Sequence, residues 1–91
     1  MQLENYFYFN GVPYDQLSFN IQKNIDLLIQ RIKLDHLYDR IALYQDHFFN
    51  IIQCGESGKL NKQFESDLPD DITNDIINAY LKTEMRLVNT N

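Results

Sequence analysis

The chain has little of what stabilises secreted proteins or anchors membrane proteins. It contains 91 residues, one cysteine, two prolines, three glycines and no tryptophan. Because the single cysteine, Cys54, excludes an internal disulfide, we expect a reducing compartment. No fully apolar run exceeds four residues, whereas a membrane-spanning helix needs about 20. The N-terminal residues lack the basic and apolar regions of a signal peptide, so the expected location is cytoplasmic.

The scarce glycines and prolines mark where secondary structure changes. Asn10-Gly11 lies between two runs rich in apolar residues, which is a strong signal for a β-hairpin. Before this pair, Phe7 and Phe9 alternate with Tyr8, so one face is apolar and the other is aromatic with hydroxyl groups. These features predict a two-stranded hairpin over residues 1–15 that packs on helices.

Residues 15–54 contain no glycine or proline, which favours helix. A first apolar stripe with helical spacing predicts a helix over residues 18–33. A second stripe has a shifted phase and predicts a separate helix over residues 35–54; its members are Leu34, Leu37, Ile41, Tyr44, Phe48 and Ile51. The alternative is one long helix, because Leu27, Leu34, Ile41 and Phe48 repeat every seven residues.

The rest of the chain predicts a loop and a third helix. Residues 55–66 are polar and begin at a glycine, so we expect a loop there. Pro69 and the acids that follow it suit a helix N-terminus, which predicts a helix over residues 67–88. The predicted fold class is therefore mainly α within α+β. Residues 1–91 are expected to form a single three-helix domain with an N-terminal two-stranded β-hairpin.

The excess negative charge is concentrated in one segment. The chain has 13 acidic and eight basic residues, and the five unmatched acids are Glu65, Asp67, Asp70, Asp71 and Asp75. This set, called the acidic block below, has no Lys or Arg within it. A localised negative field favours a larger basic protein as partner and argues against direct binding to nucleic acid or to an anionic membrane. The competing interpretation is that these acids cap the third helix and aid solubility.

The predicted helices carry more apolar surface than three short helices can cover. The second helix would be apolar around about half of its circumference, whereas a surface helix typically needs little more than 100°. We therefore expect an apolar interface with another protein or with a second copy of this chain. The candidate residues for it are Leu43, Phe49, Ile77, Leu81 and Val88.

Motifs for catalysis are incomplete. Residues 55–59 read Gly-Glu-Ser-Gly-Lys, but the spacing fails both a phosphate-binding loop and a nucleophile elbow. Asp35, His36 and Asp39 could share one helical turn, although three exposed ligands would hold a metal weakly. Cys54 would lie at the negative end of a helix, which disfavours a reactive thiolate. We expect no enzyme activity, catalytic residue, cofactor or metal.

Together these features favour a small, acidic, non-catalytic interaction module that neutralises or regulates a larger basic protein. Toxin-immunity proteins and phage-encoded inhibitors of nucleic-acid-acting machinery have a similar profile: short, acidic and without catalytic motifs. Two alternatives stay open. One is a homo-oligomeric helical structural or regulatory protein, and the other is a small metal-binding or catalytic protein that uses Asp35, His36, Asp39 or Cys54.

Overall fold

The described residues form four strands and three α-helices. The structure, a computed structural model, describes the backbone of residues 2–54 and 61–89 and the side chains of residues 2–52 and 63–83. The strands are β1 (Phe7–Phe9), β2 (Val12–Pro13), β3 (Phe49–Cys54) and β4 (Asn61–Ser66). The α-helices are α1 (Phe19–Leu34), α2 (Tyr38–Ala42) and α3 (Asp70–Asn89), and 3₁₀ turns occupy Leu3–Tyr6 and Tyr14–Gln16.

The four strands make one mixed sheet in the order β2-β1-β3-β4. β1 pairs with β2 and β3 with β4 in antiparallel fashion, while β1 and β3 are parallel. Two parallel neighbours cannot be joined by a tight turn, because the chain must return to its starting edge. The segment that contains α1 and α2 makes this return.

The turn between β1 and β2 depends on its two central residues. Asn10 and Gly11 have φ of 52° and 77°, as a two-residue type I′ turn requires. Asparagine tolerates this left-handed region better than most residues, and glycine enters it without steric cost. The Asn10 amide also donates to the Ile51 carbonyl at 2.9 Å, which links the turn to β3.

α1 follows its apolar stripe and ends in a defined cap. Ile25, Leu28 and Ile32 are buried along one face. After the helix, His36 has φ 59°. Its amide donates to the Lys33 carbonyl at 3.2 Å, and the Leu37 amide donates to the Ile32 carbonyl at 3.0 Å. This pair of bonds is the Schellman motif, with a histidine at the position where glycine is usual.

The core lies between the sheet and the two long helices. α1 and α3 pack against each other, and α3 contributes Ile72, Ile76 and Tyr80 to the same buried cluster. The sheet contributes Phe49, whose ring centroid is 5.7 Å from those of both Phe7 and Phe64. These inward-facing side chains define the inner face of the sheet: Phe7, Phe9, Phe49, Ile51 and Phe64.

The predicted fold class is wrong. The chain is an α+β protein with a four-stranded mixed sheet, whereas a three-helix domain with a separate two-stranded hairpin was expected. β1 and β2 are antiparallel, but they do not form a sheet of their own because β1 also pairs with β3. The sheet is one full layer of the molecule, and α2 is reduced to five residues.

The errors are concentrated between residues 35 and 66. The predicted helix over 35–54 is instead α2, a turn and β3, and neither the two-helix nor the single-helix alternative describes it. The chain turns at Asp46, which has φ 71°, and then Phe49 and Ile51 alternate with Asn50 as a half-buried strand requires. The predicted loop over 55–66 includes β4. α1 lies one residue beyond the predicted 18–33, and α3 begins at Asp70 instead of residue 67.

Candidate functional site

The second face of the sheet carries a different set of side chains. Because successive strand residues point to opposite faces and the register aligns the strands, five residues share this outer face: Tyr8, Asn50, Ile52, Gln63 and Glu65. Gln63 and Glu65 are exposed, and Tyr8 and Ile52 are half-buried. None of the five belongs to the apolar cluster that the helices cover.

A cavity of about 860 Å³ opens on this outer face. It lies between β1, the turn after β1 and the segment that leads into β3. The residues that line it include Tyr6, Tyr8, Asp46, His47, Phe48 and Asn50. We call it the outer-face cavity.

Asn50 is a buried residue that lines this cavity and is hydrogen-bonded to another lining residue. Asn50 is 8% exposed, which is unusual for a residue with an amide side chain, and its Oδ1 accepts a hydrogen bond from the Gly11 amide at 3.1 Å. A buried amide must be hydrogen-bonded or it destabilises the fold. Asn50 therefore connects β3 to the Asn10-Gly11 turn across the wall of the cavity.

Four aromatic residues line the cavity: Tyr6, Tyr8, His47 and Phe48. Tyr8 and Phe48 meet edge to face, with centroids 6.1 Å apart and planes at 88°. The His47 ring packs edge to face on Tyr44 at 5.6 Å, and its Nδ1 lies 3.0 Å from the Gln45 carbonyl oxygen. Because a carbonyl only accepts, this contact requires the proton on Nδ1. Phe48 is 38% exposed, so its ring is accessible from the cavity.

Carboxylates surround the aromatic lining. Asp46 lines the cavity itself, and its charge, after the larger effect of burial, raises the pKa of the Tyr6 hydroxyl. Asp67 Oδ1 accepts a hydrogen bond from the Phe48 amide at 2.8 Å. Glu65 is the register partner of Asn50, so their Cβ atoms are roughly 5 Å apart on the same face. The described residues that line the cavity include no Lys or Arg.

The acidic block is partly neutralised by one arginine. Arg40 Nη1 lies 2.5 Å from Asp75 Oδ2, and Arg40 Nη2 lies 2.8 Å from Asp71 Oδ2. The hydrogen bond to Asp75 is the main cause of the raised pKa of Arg40. Glu65 and Asp70 are exposed, and neither pairs with a base among the described residues. In the block, Asp71 and Asp75 therefore form ion pairs with Arg40, and Asp67 accepts the hydrogen bond from the Phe48 amide. The other two carboxylates face solvent.

The predicted apolar interface residues do not form one surface. Phe49 is 0% exposed in the core, so it is not available to a partner, and Ile77 packs against the core cluster. Leu43 and Leu81 are 80% and 47% exposed. The side chain of Val88 lies outside the described residues. The half-apolar second helix that suggested the interface does not exist, because its apolar residues are divided between α2 and β3.

Asp35, His36 and Asp39, three of the candidates for metal or catalytic chemistry, do not line the outer-face cavity. Asp35 contacts Arg31 and Lys82 at 3.4 Å each, and His36 terminates α1. Among the described residues, no three His, Cys, Asp or Glu side chains are grouped so that they could hold a metal ion. The segment 55–59 and the Cys54 side chain lie outside the described residues.

No family model, curated protein or solved structure matches this chain. The described part of the chain contains no helix with the length and apolarity needed to cross a membrane.

The prediction from sequence did not include the outer-face cavity. One signal for it was present, since Tyr8 alternates with the apolar Phe7 and Phe9. The signal was incomplete because Asp46, Phe48 and Asn50 were assigned to a helix, where Phe48 would point away from the other two.

Proposed function

We propose that this protein is a non-catalytic interaction module that binds a larger basic protein and neutralises or regulates it. The observation that carries the proposal is the local charge of the acidic block. Its five carboxylates follow one another from the end of β4 into the first turns of α3. Arg40 is the one base that pairs with them in the described part of the chain, which leaves an excess of four negative charges.

The accessible carboxylates support this proposal. The Asp71 side chain is 72% exposed even while it contacts Arg40, and Glu65 and Asp70 are exposed as well. Helix capping accounts for acids in the first turn of α3, but Glu65 precedes that helix by five residues and has no capping role. A basic surface that approaches this end of the molecule would be attracted over a Debye length of about 8 Å.

The classes of protein that act in this way define the proposal further. A toxin-immunity protein or a phage-encoded inhibitor of nucleic-acid-acting machinery covers a basic surface whose usual partner is a nucleic acid. Its acids then occupy the positions of phosphate groups. In both cases the basic protein carries the enzymatic or regulatory activity, and the small acidic chain blocks access to it.

The test compares three immobilised forms of the protein. They are the native chain, the block variant Glu65→Gln/Asp70→Asn, and the control variant Glu4→Gln/Asp15→Asn, which loses the same charge elsewhere. Lysate of the native source is passed over each form, and bound proteins are quantified by mass spectrometry. We expect a basic protein that the native and control forms retain and the block variant loses by about tenfold.

The salt dependence of the captured complex completes this test. Association should slow as salt is added for the native form and depend less on salt for the block variant. Equal capture of every basic protein by all three forms would contradict the proposal.

A further inference from the structure

The outer-face cavity has the chemical character of a cation site. Tyr8 and Phe48 both line it and contact each other edge to face, and a cation over the face of an aromatic ring is attracted by the ring quadrupole. Asp46 supplies a carboxylate within the lining. The cavity is therefore suited to a positively charged group that also has an apolar stem.

Asp46 is held in an unfavourable backbone conformation at this site. Its φ of 71° lies in the left-handed region, which aspartate enters more often than most residues but less readily than glycine, because glycine has no Cβ. The turn would form more easily with glycine, yet a carboxylate stands here. Backbone strain of this kind is often found where a side chain must be aimed at a ligand.

We infer that the outer-face cavity binds an arginine side chain of the basic partner, an assignment that rests on the proposed function. A guanidinium group is planar, stacks on aromatic rings and presents five N–H donors in a fixed fork. The lining combines rings with the carboxylate oxygens of Asp46. A lysine ammonium is compact and strongly hydrated, so it would leave the stacking surface of Phe48 unused.

The cavity and the acidic block form one continuous surface. Asp67 is fixed beside the cavity by its hydrogen bond to the Phe48 amide, and Glu65 neighbours Asn50 across β3 and β4. Both acids belong to the block. A basic segment could therefore place one arginine in the cavity while its other cations lie against Asp70.

The size of the cavity agrees with such an occupant. Ligand pockets typically measure about 300–1,000 Å³, and this one measures about 860 Å³. An extended side chain together with part of its own backbone fits in that space. Asp46 and Phe48 are exposed where they line the cavity, so both are accessible to a side chain of a partner.

The test uses small probes, so it does not require the partner. N-acetyl-arginine methylamide, the lysine analogue and the neutral citrulline analogue are titrated into the native protein, and backbone amide shifts are followed by NMR. We expect the arginine probe to shift Gly11, Phe48 and Asn50 saturably, with a dissociation constant on the order of 1–10 mM. The lysine probe should bind several-fold more weakly, and citrulline should bind at least tenfold more weakly.

Two variants locate the site and one provides a matched control. Asp46→Asn keeps a residue that tolerates the left-handed backbone, and it should weaken arginine binding by about three- to tenfold. Phe48→Leu removes a ring from an exposed position and should weaken binding to a similar extent. Asp39→Asn removes an equal charge from an exposed position on α2 outside the cavity and should have no effect.

The outcomes separate this inference from the proposed function. Equal binding of arginine and citrulline, or native affinity in Asp46→Asn, would overturn the inference, and equal binding of lysine would overturn the choice of arginine. If capture by the block persists in that case, the proposed function stands without the cavity. If arginine binds in the cavity but capture does not depend on the block, the proposed function fails, and so does the assignment of this arginine to its partner.

Discussion

The two faces of the sheet differ in how much the fold requires of them. On the inner face, Phe7, Phe49 and Ile51 are at most 1% exposed and pack against the helices. On the outer face, Tyr8 and Ile52 remain partly exposed, and Glu65 is charged. The inner face is explained by burial of apolar area. Burial does not explain the rings and carboxylates on the outer face, and this difference favours a binding role for that face.

The largest expected effect comes from a matched pair of truncations in β3. Phe49→Ala removes a buried ring that contacts Phe7 and Phe64, and it should lower the free energy of unfolding by about 3–5 kcal/mol. Ile52→Ala on the outer face should cost about 1 kcal/mol, because a half-buried side chain leaves no enclosed cavity. Urea unfolding of both variants measures the difference. Equal losses would show that an unseen layer covers the outer face.

Asn50 differs from the other outer-face residues because it is buried and hydrogen-bonded. Its replacement tests whether this contact stabilises the fold. Asn50→Ala deprives the Gly11 amide of its acceptor and should cost about 1–2 kcal/mol. Gln63→Ala, which truncates an exposed amide on the same face, should cost less than about 0.5 kcal/mol. Denaturant unfolding gives both values. A similar small loss for the two variants would mean that water replaces the Asn50 contact.

Tyr14, on the side of the sheet that carries α1, should make the stability of the fold depend on pH. The Tyr14 hydroxyl donates to Asp26 Oδ1 at 2.7 Å, which, together with burial and nearby acids, raises the pKa of Tyr14 to about 12. An unfolded tyrosine titrates near pH 10, so the folded form holds its proton more tightly. The contribution to stability is complete below about pH 10 and is lost as the pH rises towards about 12.

Tyr14→Phe removes this contact between the turn after β2 and α1. We expect a loss of roughly 0.5–1 kcal/mol at neutral pH and a flatter decline of stability above pH 10. Unfolding curves at several alkaline pH values measure it, and Tyr8→Phe, which leaves the Asp26 contact intact, is the control. An unchanged alkaline decline in Tyr14→Phe would assign that decline to other groups.

Sequence patterns predicted the elements whose formation depends on residues close together along the chain, such as helix α1. In α1, a helix of 16 residues, the buried Ile25, Leu28 and Ile32 keep the spacing of an α-helix. Residues 37–51 keep nearly the same spacing, but they include a turn made by Asp46. An aspartate in a left-handed conformation gives no sequence signal comparable to glycine. The strand β4 was missed because its pairing with β3, not its composition, makes it a strand.

The acidic block and the cavity were predictable to different degrees. The sequence alone identified the five acids, since they lie within residues 65–75 with no Lys or Arg between them. It did not predict that Arg40 would form ion pairs with two of them, Asp71 and Asp75, which lie 31 and 35 residues away in sequence. The cavity combines Tyr6 and Tyr8 with residues 45–48 and Asn50, and only the parallel pairing of β1 with β3 brings those segments together.

The smallest expected change in stability comes from replacing residues with left-handed backbone by glycine. It tests whether Asp46 lowers the stability of the fold in favour of binding. Asp46→Gly relieves a left-handed backbone and should raise the free energy of unfolding by roughly 0.5 kcal/mol, because glycine has no Cβ clash but loses more entropy on folding. His36→Gly at the end of α1, where φ is 59°, should gain a similar or larger amount for the same reason. Urea unfolding checks both gains.

The two glycine variants should differ in binding although they agree in stability. Asp46→Gly removes the carboxylate of the cavity, so binding of the arginine probe should fall by about three- to tenfold. His36→Gly changes a residue outside the cavity and should bind the probe as the native protein does. If both variants were stabilised and both bound normally, the left-handed Asp46 would be a feature of the turn alone. Weaker binding in Asp46→Gly alone would instead show that the carboxylate is retained there at a cost in stability because the outer face uses it.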